Sequence, residues 1–370
     1  MDGAPWGGCE ELWYRSALRM AAAGFPVAAS VLKWPAPAAQ LGALRRQGIP
    51  IVERSVPSIP ARAVHRIFPT QKFDWLRKLN PRFVLLSQGS NWSDRTIEAG
   101  EALIRLGFPY AIVSHCAYPW HWPDDHGASR MRAIFRHAAA ACFVSQANLE
   151  TTRMQIADPI ANAAIVRNPF AVEYSAPLPW PRNDVTQLAF VARLEPGVKG
   201  HDLLFQALAA PKWRGRKLNI TLYGSGLQAG LIRHLQTKLD LPNVRFAGFA
   251  QPGEIWRHHH ALILPSRAEG LPIVIVEAML SGRPCICTAA GGSAEVVADE
   301  VTGFVARDIT VDGVAEVLER AWNRKHDWKI MGDCAARRIR SMIPADPVGD
   351  FVARIERLVA DHERKSRAAG

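Results

Sequence analysis

Two α/β domains, each built on a parallel sheet, are predicted by three features of the 370-residue sequence. Short apolar runs bounded by turn residues alternate with amphipathic stretches along nearly the whole chain, which is the rhythm of repeated βαβ units. A proline-rich interval, residues 168–185 (NPFAVEYSAPLPWPRNDV), splits that rhythm into two series. The length exceeds what one hydrophobic core of ordinary size fills, so two domains are the natural division. Both series have the strand and helix order of a Rossmann-like domain.

In the first series, residues 10–23 (EELWYRSALRMAAA) have helical spacing and stop at Gly24. Residues 27–32, 82–87 (RFVLLS), 110–114 (YAIVS) and 141–145 (ACFVS) are predicted strands, the last three short and buried. The predicted boundaries are an N-terminal domain over 1–170, a linker over 171–186 and a C-terminal domain over 187–346. In the C-terminal domain, residues 188–191, 218–223, 244–247, 261–264 and 285–288 are expected strands, and 201–210 and 227–239 expected helices. The end of the chain, near 347–365, reads as one more amphipathic helix, and residues 347–370 are expected to pack back toward the N-terminal domain. The chain opens MDGAPWGGCEE, already inside a glycine-rich loop. A Rossmann-like domain begins with the strand that feeds this loop, so the first strand is missing and a start further upstream, or a truncated gene model, is expected.

Composition narrows the function classes. Forty-eight per cent hydrophobic and 21% charged residues are those of a soluble globular protein. The formal charge of +11 leans toward the N-terminal half, where residues 1–170 hold 19 Lys and Arg against 12 Asp and Glu. Such a balance favours anionic partners, whether nucleoside diphosphates, acidic lipid headgroups or nucleic acid. Nucleic acid is not expected, because no binding module is recognisable and the aromatic residues do not interleave with basic ones. Cys285 and Cys287 flank Ile286 in an apolar run and read as buried thiols of a strand. His258, His259 and His260 are consecutive and cannot face one ion, so no metal site is expected. A reduced, cytoplasmic setting follows. No run of about 18 apolar residues could span a bilayer, and no basic leader precedes an apolar stretch. The basic stretch 62–78 (RAVHRIFPTQKFDWLRK) reads first as a solvated helix and second as a peripheral contact with an anionic membrane face.

Two segments carry chemistry. In LAFVARLEPGVKGHDLLFQAL, Arg193 and Lys199 lie on a Pro/Gly turn between a strand and a helix, where two cations suit a diphosphate. Alone, this pair is generic. In LILPSRAEGLPIVIVEAMLSGRP, a strand leads to Glu269, then Gly270, Leu271 and Pro272, then a helix holding Glu277. Pro272 suits the first helical turn, and free amides at a helix start attract anions. Glu277 sits among apolar residues and needs a partner, either sugar or ribose hydroxyls or an internal ion pair, the latter leaving Glu269 as a surface residue.

The pattern Arg-Leu-x(4)-Lys-Gly followed by Glu-x(7)-Glu, then GRPCICTAAGGSAEVV and TGFV, resembles the family-4 (group 1) retaining glycosyltransferases of the GT-B fold. The resemblance extends to PWGGCEELW and to VSQANLETTR with VRNPF in the N-terminal half, and so over nearly the whole chain. It implies two Rossmann-like domains with parallel sheets facing across a cleft. It also implies that Arg193 and Lys199 hold the donor diphosphate, Glu277 the ribose hydroxyls, and Glu269 the transferred sugar. Amides near Gly270, Leu271 and Pro272 would touch sugar and phosphates, Gly7 and Gly8 would border the diphosphate, and His115 would lie near the reacting centre. Ala192 stands where the family often has glycine, and Gly-Leu-Pro follows the first glutamate in place of the commoner Phe-Gly. Both departures bear on the sugar-contacting backbone more than on the reaction.

The resemblance implies a nucleoside-diphosphate sugar as co-substrate, no cofactor or obligatory metal, and a carbohydrate or lipid-linked acceptor in glycan, polysaccharide or glycolipid synthesis. The expected location is the cytoplasm, with peripheral contact at the inner face of the membrane as an extension. Three rivals are weighed against it. YGSGLQAG follows a strand as a dinucleotide loop would, but its Gly224, Gly226 and Gly230 do not have the G-x-G-x-x-G spacing of a nicotinamide-dependent oxidoreductase. A nucleotide-sugar epimerase or hydrolase would share the phosphate site without needing an acceptor, yet Trp120 and Trp122, in HCAYPWHWPDDHG, could stack on sugar rings as readily as pack. A non-catalytic binding module has no use for both glutamates and both cations.

Overall fold

Every strand pair in the computed structural model, which describes residues 6–54, 73–90 and 93–369, is parallel. The chain forms two α/β units, Met1–Pro169 with Asp346–Gly370 and Phe170–Ala345.

The N-terminal unit runs α1 (Gly8–Ala22), β1 (Ala29–Leu32), α2 (Ala39–Arg46), β2 (Ile51–Arg54), α3 (Asp74–Leu79), β3 (Val84–Gln88), α4 (Asp94–Leu106), β4 (Tyr110–Ser114), α5 (Asp125–His137), β5 (Ala140–Phe143), α6 (Gln146–Ile156) and β6 (Ala163–Ile165). Strands β4 and β5 are buried at every residue, because helices cover both faces of a parallel sheet and leave no reason for polar alternation. Helix α5 starts where the Asp124 carboxylate accepts the Gly127 N–H, and α6 where the Ser145 hydroxyl accepts that of Asn148. Ile97, Leu103, Met131, Ile134 and Phe135 then pack on the sheet, each buried side chain contributing about 1.5–3 kcal/mol.

No described strand precedes α1. Strands β3-β4-β5-β6 form one sheet in that order, while β1 and β2 pair apart from it. Helix α1 packs on the β1–β2 pair through Ala17 and Leu18 and also touches β3. Its amino end lies beside the carboxyl end of β3, where Gly89 stands close to Cys9 Sγ. The basic stretch 62–78 falls mostly, over residues 62–72, outside the described residues. Of its described end, Phe73 and Leu76 are core residues of this unit.

The C-terminal unit contains β7 (Thr186–Val191), α7 (Pro196–Lys199), α8 (His201–Leu208), β8 (Leu218–Tyr223), α9 (Ala229–Lys238), β9 (Val244–Gly248), α10 (Pro252–His258), β10 (Ala261–Leu264), α11 (Ile273–Leu280), β11 (Cys285–Thr288), α12 (Ser293–Val296), β12 (Gly303–Ala306), α13 (Val311–Asn323) and α14 (Trp328–Met342). Its sheet order is β12-β11-β10-β7-β8-β9. The chain therefore reverses its winding direction between the neighbouring strands β7 and β10, and the carboxyl end of a parallel sheet at such a reversal is where open α/β folds place ligands. Cys285 and Cys287 are buried free thiols of β11.

Helix α15 (Pro347–Ala369) belongs to the N-terminal unit, where it lies against α1. Val348, Phe351, Val352 and Ile355 are buried. Arg19–Asp346 and Arg82–Glu363 pairs flank it, too exposed to add much. No helix among the described residues is long and apolar enough to cross a membrane.

The proline-rich interval is fixed to the C-terminal unit by polar contacts to backbone. The Tyr174 hydroxyl lies 2.9 Å from the Arg340 carbonyl oxygen. Arg283, almost wholly buried, donates to the carbonyls of Trp256 (2.9 Å), Ser281 (3.0 Å) and Pro179 (2.7 Å). Replacing it would leave the Trp256 and Pro179 carbonyls without this donor, while the Ser281 carbonyl keeps the Leu178 N–H. We expect Arg283→Met to lower unfolding free energy by about 3 kcal/mol in urea titrations, since each stranded group costs about 1–3 kcal/mol. A loss below about 1 kcal/mol would show that the interval is held by its prolines instead.

Candidate functional site

Of the predicted residues of the C-terminal unit, Lys199 and Glu269 meet, in the loops that leave the adjacent strands β7 and β10. Strand β7 delivers Arg193, and the turn α7 ends in Lys199. Strand β10 delivers Glu269, and α11 follows from Ile273. The two loops are bound to each other. The Arg267 N–H donates to the Val198 carbonyl at 2.7 Å, and the Arg267 guanidinium donates to the Pro196 carbonyl and grips both Asp202 oxygens at 2.8 and 2.7 Å. Gly200 has a left-handed φ of +69°, and a Cβ there would overlap the Pro265 carbonyl. Glycine is what lets α7 sit directly on the loop after β10.

Lys199 Nζ lies 2.7 Å from Glu269 Oε1, with the two side chains 16% and 9% exposed. Ser266 Oγ donates to the same oxygen at 2.7 Å. Glu269 is therefore not a surface residue: it holds an internal ion pair. Arg193 is half exposed and paired with Glu195 at 3.0 Å.

Gly291 holds the backbone under Glu269. Its φ is +51°, a Cβ would overlap the Glu269 carbonyl oxygen, and the Gly292 N–H donates to the Gly270 carbonyl at 2.6 Å. The sequence shows these glycines but not this task, because it depends on an approach between loops. Leu271 and Pro272 are buried; Pro272 is the N-cap of α11, one residue earlier than the first-turn place the sequence suggests. Ile273 and Val274 line the start of the helix, half exposed. Glu277, one turn further, is buried, and its Oε1 accepts the Ala171 N–H at 2.9 Å.

The YGSG loop after β8 braces this site. Leu194 N–H donates to Ser225 O at 3.0 Å, and Gly224 and Gly226 pack against the carbonyls of Ala192 and Leu194. These glycines admit a neighbouring strand end. His201, which the sequence reading passed over, is buried against Phe190 with ring centroids 4.5 Å apart. Burial pushes its pKa down to about 4.

The other predicted residues lie at the carboxyl end of the N-terminal sheet. Gly7 is the extended N-cap of α1, and Gly8 its first residue. His115 follows β4 directly and is buried, its Nε2 3.2 Å from Ser87 Oγ. Burial lowers its pKa to about 4, with Asn168 acting weakly in the opposite direction. His115 is thus neutral at pH 7. Among the described residues no three His, Cys, Asp or Glu side chains gather as a metal would require.

Residues 186–324 match the family model of glycosyl transferases group 1. An uncharacterised glycosyltransferase of Methanocaldococcus jannaschii is 28% identical over 138 residues, 36% of this chain and 38% of that protein. A D-inositol 3-phosphate glycosyltransferase of Streptomyces griseus is 27% identical over 196 residues, 48% of this chain and 40% of that protein. The chain thus spans about two fifths of the length of each relative. Among solved structures, Anabaena HepE in complex with UDP and glucose superposes with a TM-score of 0.72 at 18% identity, covering 95% of this chain and 96% of that one. The fold is that of the GT-B glycosyltransferases.

Two expectations follow. Lys199→Met should cost about 3–5 kcal/mol of stability by leaving Glu269 buried and unpaired, and Lys199→Met with Glu269→Leu should recover most of it. Equal losses in the single and double variants, measured by chemical denaturation, would contradict the pair. The buried histidines set an acid limit. Unfolded, each takes a proton near pH 6.5 and folded only near 4, so the unfolded state binds more protons between those values. Stability is therefore full above pH 6.5 and falls as pH drops toward 4, by on the order of 3 kcal/mol per histidine. His201→Gln should flatten this decline between pH 7 and 4.5; an unchanged slope would assign it to other groups.

Proposed function

We propose that the protein is a retaining glycosyltransferase that moves a sugar from a nucleoside-diphosphate sugar to a hydroxyl of a carbohydrate or lipid-linked acceptor. The observation that carries this is the buried Lys199–Glu269 pair at the carboxyl ends of β7 and β10, with Glu269 four residues before the start of α11. The group 1 family model covers these same residues, which supports the reading.

In this reading the donor diphosphate takes Arg193 and Lys199 as its cations and the α11 start as its dipole, in place of a metal ion. Lys199 is then shared between a phosphate oxygen and Glu269. Freed in part, the Glu269 carboxylate contacts the transferred sugar and stabilises the positive charge that grows as the bond to the diphosphate lengthens. Glu277 binds the ribose hydroxyls. The acceptor hydroxyl attacks from the face the diphosphate leaves. Its oxygen forms the new bond to the anomeric carbon, and its proton passes to the departing phosphate oxygen. His115, neutral, serves as a hydrogen-bonding group and not as a charge.

The UDP in the Anabaena structure makes uridine diphosphate the first nucleotide to test. UDP, GDP and their sugars should raise the melting temperature selectively, while NADH should not. Glu269→Gln should lower kcat by about 10²–10³, the usual cost of removing one preorganised electrostatic group. Glu277→Ala should chiefly raise the donor KM. An NMR spectrum with an inverted anomeric centre would refute retention. Rapid consumption of the donor without acceptor would favour an epimerase or hydrolase.

A further inference from the structure

The loop between β4 and α5 is held far more rigidly than its surface position requires. Asn148 and Gln155, both buried, lie seven residues apart on one face of α6 and point at this loop. Asn148 donates to the His115 carbonyl at 3.2 Å and accepts the Ala117 N–H at 3.3 Å. Gln155 donates to the carbonyls of Tyr118 and His121 at 2.7 and 3.2 Å. Trp122 Nε1 donates to the Pro119 carbonyl at 3.0 Å, fixing its ring, and Asp124 caps α5. Tyr118 backs the Trp120 ring at a centroid separation of 5.3 Å. Yet Trp120 and Trp122 are 56% and 58% exposed. A scaffold of buried amides therefore displays two indoles to solvent, where apolar surface gains nothing until something covers it.

We propose that Trp120 and Trp122 form a stacking platform for the carbohydrate portion of the acceptor, an inference that rests on the glycosyltransferase reading above. Indole faces match the C–H faces of pyranose rings, and immobilised rings lose little entropy on binding. The exposed polar groups beside them, His121, Asp125 and His126, can meet ring hydroxyls. An anionic bilayer is the poorer occupant: Asp124 and Asp125 follow immediately, and Asp124 is tied into the α5 cap and cannot withdraw. The platform continues the chain from His115, at the carboxyl end of the sheet.

Fluorescently labelled protein applied to an immobilised array of neutral oligosaccharides tests this. Wild type should be retained on a defined subset, and Trp120→Ala with Trp122→Ala should lose at least tenfold in retention while its melting temperature and its affinity for nucleoside diphosphates stay unchanged. Equal retention of both proteins, or no retention of wild type, would overturn the proposal. So would tryptophan-dependent binding to phosphatidylcholine–phosphatidylglycerol vesicles without binding to glycans. Failure of the underlying reading has a different signature, namely that no nucleoside diphosphate binds either protein.

Discussion

An ammonium and a carboxylate held 2.7 Å apart with little water around them persist only if other groups hold both in place. In this protein that constraint organises the C-terminal unit. Arg267 ties the Lys199 turn to the loop carrying Glu269, Ser266 satisfies the shared carboxylate oxygen, and the Gly291–Gly292 segment supports the backbone beneath it. Such a pair adds little net stability compared with apolar packing. In the proposed function, its value is that it holds two opposite charges at the carboxyl ends of β7 and β10, so that an incoming diphosphate would find its cation already positioned.

Much of this was legible in the sequence, for physical reasons. Strands buried at every residue, such as Tyr110–Ser114 and Ala261–Leu264, are short apolar runs with clear stops. Strands Ile51–Arg54, Ala163–Ile165 and Gly303–Ala306 were not predicted; the first two are short and only half buried, so no hydrophobic pattern marks them. Glu277 announced itself as a carboxylate in apolar company, and Glu269 stood out through the Glu-x(7)-Glu pattern. Their partners did not, because the Ala171 N–H and Lys199 reach them from 106 and 70 residues away. Arg193 was expected to converge with Lys199; in the structure it pairs with Glu195, two residues along. The work of Gly200 and Gly291 depends on positive φ and on a carbonyl from another loop, neither of which a residue name reveals.

The two units solve the problem of supporting a site differently. The C-terminal unit uses a charged pair and close backbone approaches. The N-terminal unit uses buried amides: Asn148 and Gln155 turn one face of α6 into a rack for the loop that begins at His115. Neutral donors suit a place where no net charge must be held, and burial keeps the His115 ring uncharged as well.

A crystal structure of the protein soaked with uridine diphosphate, or whichever nucleoside diphosphate shifts its melting temperature, tests the central claim most directly. The account predicts the diphosphate at the carboxyl ends of β7 and β10, within hydrogen-bonding distance of Lys199 Nζ and next to the first amides of α11, with the ribose at Glu277. A nucleotide bound elsewhere in the chain, with the Lys199–Glu269 pair untouched, would contradict it.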